Sequence, residues 1–107
     1  MSALARRIVS EEVFTVADGV DTSGDVSIES GAVGLLLAAS TWASNTAATF
    51  EVSNDGDNWF PVNAATATLV AGEWVKVPEE VMYGKFMRVV LGANAAQEET
   101  LTLCLKG

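Results

Sequence analysis

Between Ser53 and Phe60 the chain reads Ser-Asn-Asp-Gly-Asp-Asn-Trp-Phe. The segment Asn54-Asp55-Gly56-Asp57-Asn58 crowds together oxygen ligands of the kind that calcium prefers. Calcium takes about six to eight oxygens and usually a bidentate carboxylate further along. No Glu follows the segment at such a spacing. The same residues make a hairpin turn, in which Gly56 takes a positive φ and Asp55 bonds its own backbone. The turn is the better account of the residues. Asp55 and Asp57 are retained as candidate partner contacts, and no metal is expected.

Other groups with chemistry in them stand alone. The chain has no histidine, which removes the commonest general base and the usual zinc or iron ligand. Cys104 is the only cysteine, so no intrachain disulfide can form, and no histidine is present to activate its thiolate. The pairs Glu11-Glu12, Glu79-Glu80 and Glu98-Glu99 are sequence neighbours. Neighbouring side chains on a strand diverge, whereas acid–base catalysis needs carboxylates converging from different elements. These pairs are expected to be solvated edges and loops. Lys85 and Tyr83 have nothing grouped with them, so no enzyme and no cofactor is expected. Trp42, Trp59 and Trp74 remain as candidate contact residues. Their rings either fill and plug a core or stack on a sugar or an apolar partner patch. Trp59 and Phe60 are adjacent, so only one of them is expected to face the core.

The totals bound what must position these residues. One core is ordinary for 107 residues, and a 50% hydrophobic, 19% charged composition is that of a folding chain. The net charge of −8 repels phosphates and anionic head groups, so neither nucleic acid nor membrane is an expected partner. No run approaches the ~20 apolar residues of a membrane-spanning helix. The start, MSALARRIVSEE, lacks the apolar stretch of a secretory signal. The expected division is a flexible arm over residues 1–7 and a single domain over 8–107. Arg6 and Arg7 are candidates for pairing with an acidic partner surface. The expected setting is the reducing cytoplasm, or a larger particle assembled there.

Strand signals recur along the domain. IVSEEVFTV (8–16) is rich in β-branched and aromatic types, and Ala17-Asp18-Gly19 ends it. Residues 25–29 alternate, with Val26 and Ile28 on one face. VGLLLAA (33–39) is apolar on both faces, as in a central strand covered on each side, or in a short helix. Phe50 and Val52 lead into the hairpin turn, and Pro61 marks the returning strand as short and at an edge. Residues 67–70 and 73–77 read as a strand pair turning at Ala71-Gly72. KFMRVVL (85–91) and ETLTLCLKG (99–107) close the domain, with Leu101, Leu103 and Leu105 on one face and Cys104 on the other. About eight short strands at this rhythm predict an all-β fold, an antiparallel β-sandwich or small jelly roll.

Two stretches carry a resemblance. FEVSNDGDNWFPV and the later YGKFMRVVL resemble the turn and strand of discoidin-like, galactose-binding jelly rolls. Ser53, Asp55, Gly56 and Trp59 match the turn, and Phe86 to Val90 the strand. In plan, roughly residues 26–106 are more similar to short β-sandwich structural proteins of tailed phages and prophages. That resemblance implies a virion protein that performs no reaction, most simply a capsid decoration or cement protein on the outer capsid surface. Its partner would be the major capsid protein, and it would be a homo-oligomer, with a trimer possible at capsid threefold positions. Other virion stations it allows are the tail, the neck and head fibres. The discoidin-like resemblance leaves a carbohydrate-binding module as the alternative.

Overall fold

The computed structural model describes residues 8–29 and 31–107. The proposed arm, with Arg6 and Arg7, lies outside the described residues. The strands are β1 (Ile8–Val16), β2 (Val26–Ser27), β3 (Val33–Ala38), β4 (Ala47–Ser53), β5 (Phe60–Thr68), β6 (Trp74–Lys76), β7 (Phe86–Leu91) and β8 (Glu99–Lys106). A 3-10 turn, Glu79–Tyr83, follows Pro78.

The strands form two four-stranded sheets, sheet A in the order β1-β8-β3-β6 and sheet B in the order β2-β7-β4-β5. All pairings within them are antiparallel. Every connection except the β4–β5 hairpin passes from one sheet to the other, which makes this β-sandwich a jelly roll. The expected all-β class and its strand number are both present.

The core follows from period-two alternation. Phe14 and Val16 of β1, Leu36 and Ala38 of β3, and Leu101, Leu103 and Leu105 of β8 face inward from sheet A. Phe50 of β4 and Met87, Val89 and Leu91 of β7 answer them from sheet B. Each large apolar side chain so buried contributes about 1.5–3 kcal/mol. Trp42, Ile28, Leu69 and Val81 close the ends and sides from the connecting segments.

Several local expectations are corrected. β5 runs for 9 residues, longer than Pro61 implied, although it does lie at the sheet edge. It reaches that length by leaving register with β4 between Thr49 and Glu51, where Ala64 takes φ 60°. Residues 67–70 and 73–77 do not pair with each other. Ala67 and Thr68 end β5 in sheet B, whereas Trp74–Lys76 crosses to sheet A and pairs with β3. Turn chemistry at Ala71-Gly72 reverses the chain without choosing its partner. Among the described residues no further layer covers the outward face of β3, and Leu35 and Leu37 lie half-buried on the open side of sheet A.

Candidate functional site

The β4–β5 turn spends its oxygens on itself. Ser53 Oγ accepts from the backbone N–H of Asp55 at 3.2 Å and of Gly56 at 2.8 Å, and donates to Asp55 Oδ1 at 2.9 Å. Asp55 Oδ1 also accepts from the N–H groups of Asp57 and Asn58, both at 2.8 Å, while Oδ2 takes Asn58 Nδ2 at 2.7 Å. These donors, led by the Asn58 and Asp57 N–H groups, hold the Asp55 carboxyl well below the ordinary aspartate value. Gly56 sits at φ +83°, as the turn requires. The carboxylate that calcium would need is thus the clasp of the bend. Among the described residues, no three His, Cys, Asp or Glu side chains gather as metal ligands. A shallow hollow of about 150 Å³ lies beside the turn, lined by Val52, Ser53, Asn54, Asp55, Asn58 and Phe60.

Next to the turn, on the outer face of sheet B, Trp59 lies under the Arg88 guanidinium, 4.5 Å from its ring centroid. Arg88 also bonds Glu51 Oε1 at 2.6 Å, and the two side chains face each other in register across β4 and β7. Trp59 is half-buried in this stack and Phe60 is 65% exposed, so neither enters the core, contrary to the alternation expected of the pair. The turn sets both rings, since Trp59 precedes the strand and belongs to no ladder.

Trp42 is buried, and its Nε1–H points to the Asn45 carbonyl at 3.4 Å. It shares that end of the sandwich with Glu99, a buried carboxylate of the Glu98-Glu99 pair that was expected to be solvated. Glu99 Oε2 accepts from the Ala43 N–H at 2.9 Å and from Ser44 Oγ at 2.5 Å, and Oε1 accepts from Gln97 Nε2 at 3.2 Å. Burial pushes the carboxyl up, but these donors outweigh it and hold the group below the ordinary glutamate value. Glu99 ties the loop after β3 to the start of β8, a structural clamp that nothing in the run ETLTL announces.

The open surface of sheet A is different in character. Register places outward side chains in two rows across its strands. One row is Val13, Thr102, Leu37 and Trp74, from β1 through β8 and β3 to β6. The other is Glu11, Cys104, Leu35 and Lys76. Val13 is 65% exposed and Trp74 47%. Cys104 is screened by its neighbours in the middle of its row. Apolar residues therefore occupy the centre of a solvent-facing sheet, with a cation at one edge and an anion at the other.

The residues singled out in the sequence are accordingly dispersed. Trp42 is in the core, Asp55 and Asp57 are in the hairpin turn, Trp59 is on the outer face of sheet B and Trp74 is on that of sheet A. The tryptophans do not form one platform. Sequence reasoning missed Val13, Leu35, Leu37, Glu11 and Lys76 as a surface, although the doubly apolar run at 33–39 carried the signal. Compared with protein-family models, with curated proteins and with solved structures, the chain gives no match.

Proposed function

We propose that this chain is a phage virion structural protein, a capsid decoration protein present in many copies on the outer capsid surface. The observation that carries the reading is the outer face of sheet A. Antiparallel sheets of a sandwich ordinarily turn a polar face to water. Here the outward positions of the central strand β3 are Val33, Leu35 and Leu37, and Val13 and Trp74 lie in the same row as Leu37. An apolar face of this kind marks a surface for association. Function then lies in surface complementarity repeated over symmetry-related sites. The resemblance of residues 26–106 in plan to short β-sandwich proteins of tailed phages and the acidic, histidine-free composition fit that role.

The test is fractionation of the native source. Phage-sized particles are sedimented and washed in high salt, and this chain is quantified against the major capsid protein by mass spectrometry. Near-stoichiometric recovery is expected. A few copies per particle would move the chain to the tail, neck or a head fibre. Recovery wholly in the soluble fraction would overturn the virion reading and bring forward a carbohydrate-binding module using the exposed Trp74. That alternative is tested by tryptophan emission across a glycan panel.

A further inference from the structure

The two rows on sheet A have a property that neither exposure nor composition conveys: each is complementary to itself when reversed. We infer that the outer face of sheet A is covered by a second copy of this chain, in a symmetric dimer whose two-fold axis runs between the facing sheets parallel to the strands. The inference rests on the reading of the chain as a multicopy assembly module and names the first partner in that assembly.

The axis is chosen by charge. A two-fold parallel to the strands exchanges β1 with β6 and β8 with β3, because these strands occupy mirror positions in the order β1-β8-β3-β6. Each row then meets its own reverse. Lys76 faces Glu11 of the second copy, and Glu11 faces its Lys76, so two ion pairs bracket the contact. Between them Leu35 lies over the second copy's Cys104, and in the adjacent row Trp74 lies over its Val13 while Leu37 lies over its Thr102. A two-fold across the strands would instead stack β6 on β6 and β1 on β1, leaving Lys76 at the opposite edge from the other copy's Glu11. Sheets packed face to face lie about 10 Å apart with strands within about 30° of alignment. That rotation displaces the sheet edges by less than the spacing of successive rows, so the long Lys76 side chain still reaches Glu11 of the other copy. The contact is isologous, with one patch used twice, as in most soluble dimers.

The experiment uses the full chain, with its mass in solution measured by light scattering and sedimentation equilibrium. Twice 11.2 kDa is expected at high micromolar concentration. Lys76→Glu or Glu11→Lys alone places like charges opposite each other at both symmetric positions, and the dimer dissociation constant should rise about tenfold. Combining the two exchanges restores opposite charges and should return the constant to near its original value, an outcome that a general loss of stability would not give. Both side chains are exposed, so each variant should keep the circular dichroism of the parent. A chain that stays monomeric, a trimer, or a combined variant no tighter than the single ones would overturn the proposal. The two readings fail separately. A monomer that still sediments with phage particles removes only the dimer, and a dimer that remains soluble in the particle assay removes only the virion station.

Discussion

Asp55 and Glu99 show how one functional group, the carboxylate, serves two different structural ends. Asp55 is exposed, and its carboxylate collects the donors that close the hairpin. Because its folded-state pKa is depressed, its stabilisation is complete above the ordinary aspartate range near about 4 and is lost as pH falls below that range. Asp55→Asn should therefore melt below the parent at pH 7, and the gap between them should shrink as the medium is taken well below pH ~4. A gap that stays constant with pH would show that the charge plays no part. Glu99 is buried beneath the loop that contains Trp42, and Glu99→Ala would strand the donors of Ala43, Ser44 and Gln97. A loss of about 2–4 kcal/mol in denaturant unfolding is expected. The turn at Asp55 was legible from local chemistry, since Ser-x-Asp-Gly needs only its own backbone to act. The clamp at Glu99 was not, because its partners at Ala43 and Ser44 are more than fifty residues away in the chain.

At the scale of elements, alternation was readable wherever a strand has one face in the core. Val26 with Ile28, and the three leucines of β8, are inward as their period demands. It failed where neighbours decide the outcome. The run at Ala67–Val77 contains a good turn, yet β6 finds its ladder with β3 in the other sheet, a choice made by long-range packing. The doubly apolar β3 looked like a strand with two covers, and the described residues supply only one of them. The register break in the β4–β5 hairpin was equally invisible. It holds Ala64 at φ 60°, a left-handed conformation that costs a residue with a Cβ roughly 1–2 kcal/mol. Ala64→Gly should relieve that strain and, after the added freedom of the unfolded chain is offset, raise stability by about 0.5–1 kcal/mol. A lowered unfolding midpoint in urea would contradict the assignment of strain to this position.

For the molecule as a whole, 14 acidic groups against 6 basic ones place like charges over a small surface. Their mutual repulsion opposes the compact state and is screened by salt, whose Debye length falls from about 10 Å at 0.1 M to about 3 Å at 1 M. The melting temperature at pH 7 should therefore rise with sodium chloride, and a flat or falling dependence in a thermal scan would count against repulsion as a destabilising force. The strand order has a further consequence, for synthesis. β8 lies between β1 and β3, so the first and third strands share no neighbour until the eighth has been made. A ribosome adding about 5–20 residues per second holds β1 without a partner for most of the time it spends translating this domain. Of sheet A, only the β3–β6 pair can form before β8 is made, and the sheet cannot be completed in step with elongation. Its completion is triggered by the arrival of Glu99–Lys106, and a nascent chain stalled before Glu99 should remain sensitive to protease along the whole of β1.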